Sequence, residues 1–273
     1  MFFNFYNFSS VYGGQERYID SLTSELSNRM ISFSVFGQPK QLIQSCSFSN
    51  QANLSNIHIK LLNGNRALYL RGLCGKNADI VIYVQHSHVD DGQGTFFKKW
   101  VRRLLLKLLL IRVDIVIRVC NDALPEWFAP GKIHTIYNGV LIPTLIGEPK
   151  QHRTFTILMV GSVNDNKNQI LALKLLTTEP NLRLILVGDG PRLEEWMDWA
   201  CKAGIDDRVQ WTGFVDSPEH YYSMADALLI LSEFEAFPYV MLEAMAHSLP
   251  VIASRTGGIM ESITHEKDGI LLP

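Results

Sequence analysis

Ser232-Glu-Phe-Glu-Ala-Phe-Pro-Tyr-Val-Met-Leu-Glu-Ala-Met-Ala246 is the stretch on which the reading of the whole chain turns. The run just before it, Ala227-Leu-Leu-Ile-Leu231, has the length and composition of a parallel strand buried on both faces. Pro238 suits a first helical position, and Tyr239 to Ala246 continue it as a helix. The stretch therefore predicts strand, tight loop, helix, with Glu235 in the loop and Glu243 a little over one turn into the helix. A helix start at the carboxyl end of a parallel strand presents unpaired N–H groups and a partial positive charge, which suits a phosphate. Two carboxylates beside that seat do not serve the phosphate, but they accept hydrogen bonds from vicinal hydroxyls of a ribose or hexose. Phosphate seat and hydroxyl acceptors together describe a nucleotide-sugar site.

Around this stretch the C-terminal half alternates regularly. Strands expected at Phe155–Gly161, Leu182–Gly188, Val209–Gly213, Ala227–Ser232 and Val251–Ser254 are separated by helical patterns, the signature of a doubly wound parallel sheet. The first of these strands empties into Gly161-Ser-Val-Asn-Asp-Asn-Lys-Asn168, where Lys167, just before a helix, can seat a diphosphate. Gly188-Asp-Gly190 punctuates strand to helix. As a lone Gly-x-Gly it lacks the third glycine and acidic ribose ligand that a dehydrogenase reading needs.

The N-terminal half opens with an aromatic strand, Met1 to Phe8, a Gly13-Gly14 turn, and a helix with Tyr18, Leu22, Leu26 and Met30 stacked on one side. Two glycines let backbone N–H groups approach a phosphate or sugar closely. Strands follow at about Ile31–Gly37, Asn56–Leu62, Ala78–Val84, Arg112–Cys120 and His134–Tyr137. The third of these delivers Gln85-His86-Ser87-His88 to the carboxyl end of the sheet, where open α/β sheets bind ligands. The segment Phe96-Phe-Lys-Lys-Trp-Val-Arg-Arg-Leu-Leu-Leu-Lys-Leu-Leu-Leu-Ile-Arg112 carries six cations and no acid. At helical spacing Lys99, Arg102, Arg103 and Lys107 fall opposite Phe97, Val101, Leu104, Leu105 and Leu108. That is the pattern of a helix lying on an anionic membrane surface, although a helix packed on a sheet also buries a leucine face.

A chain of 273 residues with 47% hydrophobic content builds a sizeable core, here divided into domains 1–148 and 149–273 with a linker over Ile142–Arg153. Net charge of -2 gives no reason to expect nucleic acid. Cys46, Cys74, Cys120 and Cys201 lack metal-ligand spacing, so reduced thiols, a cytoplasmic setting and no metal are expected. Neither a signal peptide nor an apolar run of membrane-spanning length is visible, which leaves peripheral contact at the inner face of the membrane.

The Glu235 to Glu243 spacing, with Phe237-Pro238 and Glu243-Ala-Met-Ala246 around it, resembles the signature of retaining glycosyltransferases of family four. Gly13, Gly14 and Glu16 resemble the family's Gly-Gly-x-Glu opening, Asn138-Gly-Val140 its crossing between domains, and Gly257-Gly-x-x-Glu261 its last helix start. The resemblance implies an α/β fold of two Rossmann-like domains facing across a cleft, the B-type architecture, with the C-terminal domain incomplete at Pro273. It also implies transfer of a sugar from a nucleotide-diphosphate sugar to a glycan or lipid-linked acceptor, in surface polysaccharide or lipopolysaccharide synthesis. Glu235, His86 and Lys167 would then serve the reaction, without a metal ion. Glu243, Lys167, Gly13, Gly14, Val215, Ser162 and Phe237 would surround the donor, with Ser162 standing where the family commonly has an arginine. Alanine at 236 also replaces a common glycine. A nucleotide-sugar 2-epimerase or a non-catalytic nucleotide-sugar binder are the alternative readings.

Overall fold

The structure, a computed structural model, describes residues 2–8, 14–37, 42–46, 57–71, 78–89, 96–143 and 154–273. The chain divides into two compact units, Met1–Asn138 and Gly139–Pro273. Of the linker expected over Ile142–Arg153, only Ile142 and Pro143 lie among the described residues.

The first unit is a seven-stranded sheet: β1 (Phe2–Asn7), β2 (Ser32–Phe36), β3 (Leu42–Cys46), β4 (His58–Asn63), β5 (Ile80–Gln85), β6 (Ile115–Arg118) and β7 (Ile133–Thr135). Their order is β3-β2-β1-β4-β5-β6-β7, and every pair is parallel except β2 with β3. Neighbouring residues of the central strands serve opposite faces. Leu61 and Val84 join Phe5, Phe33 and Ile19 on one side, while Leu62 and Tyr83 join Leu68, Leu106 and Val116 on the other. A sheet buried on both faces needs apolar residues at consecutive positions, which is why these strands read as unbroken hydrophobic runs.

Three expectations for this unit need correction. Strand β3, with Gln44 and Ser45 at its centre, and helix α2 (Gly64–Arg71) were not read from the sequence. Helix α1 (Gly14–Asn28) stops before Met30, which has φ of 56° and is exposed, so it contributes nothing to the stripe of Tyr18, Leu22 and Leu26. Helix α3 (Phe96–Leu110) packs on the sheet through Leu106, Leu109 and Leu110, and the Phe97, Leu104, Leu105 and Leu108 face points outward. The buried leucines lie among the cations, and the long Lys and Arg stems reach past the contact to water.

The second unit holds β8 (Phe155–Val160), α4 (Gln169–Thr178), β9 (Leu182–Val187), α5 (Leu193–Lys202), β10 (Val209–Gly213) and α6 (Glu219–Met224). These are followed by β11 (Ala227–Ile230), α7 (Tyr239–Ala246), β12 (Val251–Ser254), α8 (Ile259–Ser262) and β13 (Ile270–Leu272). All six strands are parallel, in the order β10-β9-β8-β11-β12-β13, so the expected doubly wound sheet is present and β13 extends it. Pro238 is the residue capping α7 and not its first helical position, a shift of one residue. Both units are Rossmann-like α/β layers, as expected. Among the described residues no helix is long and apolar enough to cross a membrane.

Candidate functional site

In an open parallel sheet the crevice for a ligand lies at the carboxyl ends of two adjacent strands whose connections depart in opposite directions. The strand orders put that point between β8 and β11 in the second unit, and between β1 and β4 in the first. Polar side chains converge at both.

At the β8–β11 point two loops are laced together by asparagines. The side chain of Asn166 donates to Phe234 O at 3.1 Å and accepts from Phe234 N at 3.1 Å, while its carbonyl accepts from Glu233 N at 2.9 Å. Asn168 donates to Leu231 O at 3.2 Å from a left-handed backbone position, φ 52°, which asparagine tolerates better than most residues. On the far side, Gly258 N donates to Ala236 O at 2.6 Å and Thr256 Oγ1 to Glu233 O at 3.0 Å. Gly257, with φ of 47°, has to be glycine, because a Cβ there would lie 1.7 Å from Glu235 O. Ala236 itself is not among the positive-φ residues, so the missing glycine at 236 costs the loop no strain.

The loop so fixed presents Glu235. Its Oε1 accepts from Ser232 Oγ at 2.8 Å and forms an ion pair with Lys167 Nζ, a pair mostly shielded from water. Lys167 ends a short 3-10 turn, Asp165–Lys167, whose N–H is capped by Asn164 Oδ1 at 3.1 Å. The sequence-predicted cation and carboxylate therefore meet. Eight positions beyond Glu235, Glu243 Oε2 accepts a 2.6 Å hydrogen bond from the Tyr222 hydroxyl. Tyr222 is buried on α6 and stacks on His247, with ring centroids 5.2 Å apart. Sequence reasoning missed Tyr222, because a lone tyrosine in a six-residue helix carries no periodic signal.

The remaining donor-side candidates occupy different settings. Ser162 is exposed, and its carbonyl accepts from the buried Gln169 side chain at 3.0 Å. Arg192 also reaches this loop, bonded to Asp165 at 2.9 Å and to Glu195, and these carboxylates hold its guanidinium above the ordinary arginine range. Phe237 is buried, so its ring is part of the packing under the loop. Val215 is half-buried, two residues past the end of β10. The Gly188–Gly190 turn works by close approach, since a Cβ on Gly188 would lie 1.9 Å from Gly161 O and one on Gly190 2.3 Å from Val163 O.

At the β1–β4 point of the first unit, Asn63 ends β4. Its amide donates to Gln15 O at 3.0 Å and to Asn7 Oδ1 at 3.3 Å, and its Oδ1 lies 2.6 Å from His86 Nε2. With both Asn63 amide protons facing acceptors, the network assigns the imidazole proton to Nε2 and leaves Nδ1 as an acceptor. Burial pushes the His86 pKa down to about 4, so the ring is neutral at pH 7. Its ring packs edge-on against Tyr18, 5.0 Å between centroids. Glu16 accepts from Asn7 Nδ2 at 3.2 Å, Gly14 begins α1, and Gly13 lies outside the described residues. Asn63 was missed, although Asn63-Gly-Asn65 after an apolar strand is a visible turn signal.

Residues 146–273, nearly the whole second unit, match the family model described as Glycosyl transferases group 1. The N-acetyl-alpha-D-glucosaminyl L-malate synthase of Bacillus anthracis is 40% identical over 102 residues, which are 37% of this chain and 27% of that protein. The lipopolysaccharide 1,6-galactosyltransferase of Salmonella typhimurium is 32% identical over 130 residues, 45% of this chain and 36% of that protein. The matches thus span about a third of the length of these relatives. Among solved structures, Anabaena HepE in complex with UDP and glucose superposes with a TM-score of 0.77 at 19% identity, covering 99% of this chain and 85% of that one. The sucrose-phosphate synthase of Thermosynechococcus elongatus gives 0.78 at 19% identity, covering 100% and 86%.

Proposed function

We propose that the chain, whose residues 146–273 match the group 1 glycosyl transferase model, moves a sugar from a nucleotide-diphosphate sugar to a glycan or lipid-linked acceptor, with retention of anomeric configuration. The observation that carries this reading is the Lys167–Glu235 pair, held at the sheet's switch point by two interlaced loops, with Glu243 set by Tyr222 on the adjoining helix. Lys167 exchanges Glu235 for the donor diphosphate, and Glu243 accepts the ribose hydroxyls. Glu235 orients the transferred sugar, and the backbone at Val215 meets the base. When the bond between the sugar's anomeric carbon and the phosphate oxygen breaks, the charge left on the diphosphate falls on the Lys167 cation and on helix N–H groups. This is electrostatic stabilisation by groups already in position, and it calls for no metal ion. The acceptor hydroxyl forms the new bond to the anomeric carbon and gives up its proton to the departing phosphate oxygen.

The UDP and UDP-glucose bound by Anabaena HepE support a uridine nucleotide as donor. The lipopolysaccharide galactosyltransferase relative supports a surface-glycan acceptor at the cytoplasmic face of a membrane. The second reading, a protein that binds nucleotide sugar without turning it over, is favoured by Ser162 at the arginine position. Release of free nucleotide from a nucleotide sugar separates the possibilities. Release that depends on a glycan or lipid-linked acceptor supports transfer. Release without acceptor, accompanied by an epimerised sugar, supports the epimerase. Binding with no release supports the non-catalytic protein.

A further inference from the structure

Helix α3 is apolar on two sides. One side is spent on the core, through Leu106, Leu109 and Leu110. The other carries Phe97, Trp100, Leu104, Leu105, Leu108 and Ile111 just past its end, each between 44% and 70% exposed. At 3.6 residues per turn these six cover an arc of about 140°. The patch continues onto the 3-10 turn Glu126–Phe128 at Trp127, itself 53% exposed, whose ring centroid lies 5.4 Å from Lys107 Nζ. Cations border the arc on both sides, Arg103 and Lys107 along one edge and Lys98 along the other, and Arg112 follows just past the helix end. Between Phe96 and Arg112 there is no acidic residue, in a chain whose net charge is -2.

A fifteen-residue helix is too short to span a hydrocarbon layer, which takes about 20 residues. An apolar stripe with two tryptophans and cationic margins fits a helix lying flat in the headgroup region. The stripe enters the acyl boundary, and the Lys and Arg side chains reach sideways to lipid phosphates. Charge selects this occupant over a second copy of the chain, because pairing two such faces would bring cationic margins together. We propose that the outward face of α3, extended by Trp127, docks the first unit on an anionic lipid surface. The inference stands independently of Lys167, Glu235 and Glu243, which lie in the other unit.

Flotation of the full chain with vesicles of phosphatidylcholine alone, and with phosphatidylcholine containing phosphatidylglycerol, tests it. The chain is expected to float with the anionic vesicles only, to be released by salt, and to show blue-shifted tryptophan emission when bound. The double substitution Leu104→Ser with Leu108→Ser is expected to weaken binding about tenfold or more, since both side chains would otherwise leave water for the acyl boundary. Both sites are exposed, so the thermal melt stays at the parent's value. Lys98→Gln with Arg112→Gln is expected to lose binding in the same direction. A parent chain that stays in solution with both vesicle types, or floats equally with both, overturns the proposal. So does a concentration-dependent dimer that the leucine substitutions abolish, which would assign the face to a second copy.

Discussion

Lys167 and Glu235, 68 positions apart in the chain, form one ion pair across the loops that follow β8 and β11. The cation suited to a phosphate is therefore held by the carboxylate suited to a sugar, and on the proposed function ligand binding has to separate them. Glu235→Gln removes the competitor while keeping the hydrogen bond to Ser232 possible. UDP alone should then bind about threefold tighter or more to the variant, while sugar transfer falls. Titration calorimetry with UDP checks the first part, and affinity unchanged from the parent would show that Lys167 does not meet the diphosphate.

Tyr222 fixes one carboxylate oxygen of Glu243 through a 2.6 Å bond. Tyr222→Phe keeps the buried ring and its stacking on His247 but frees that oxygen. Loss of a hydrogen bond worth ~1 kcal/mol in positioning predicts about fivefold weaker donor binding with an unaltered melt. Equal affinity in both proteins would show that Glu243 needs no such hold.

Gly257 lets the backbone of the last loop pass beneath Glu235. Gly257→Ala forces a Cβ to within 1.7 Å of Glu235 O from a left-handed backbone. The expected cost is about 2 to 3 kcal/mol, read as a melting temperature lower by several degrees. A melt that superposes on the parent's would contradict the packing described.

His86 titrates near 4 when folded, against 6.5 for a free imidazole. As pH falls below 6.5 the unfolded chain takes up a proton before the folded one, so stability present above 6.5 is lost on the way to 4. Between pH 7 and pH 5 this amounts to about 1 to 2 kcal/mol. Denaturant unfolding at both pH values, on the parent and on His86→Gln, measures it. The variant should lose that share of the pH dependence. The same slope in both would assign the acid sensitivity to other groups.

The strands that position the site were legible because burial on two faces leaves unbroken apolar runs, as at Ala227–Ile230. The loops after them were legible as turn chemistry at Gly161 and Gly188. What the sequence hid has physical reasons. β3 is polar in sequence at its centre, so it carries no apolar run, and it pairs with β2. α3 is leucine-rich nearly all round, so periodicity alone could not choose which leucines the sheet would take. The Lys167–Glu235 pair and the Tyr222–Glu243 bond join residues distant in sequence, and each partner alone looks like an ordinary charged or aromatic side chain. The glycine question at 236 had its answer on another loop, where Gly257 provides the close approach.

The central claim, that the second unit binds a nucleotide sugar through Glu243, is tested most directly by titration calorimetry of the full chain with UDP- and GDP-sugars, without added metal, beside Glu243→Ala. Micromolar binding of one nucleotide sugar, weakened more than about tenfold in the variant, is the predicted result, matching loss of a charge-assisted pair of hydrogen bonds. Equal affinity in the parent and in Glu243→Ala would contradict it.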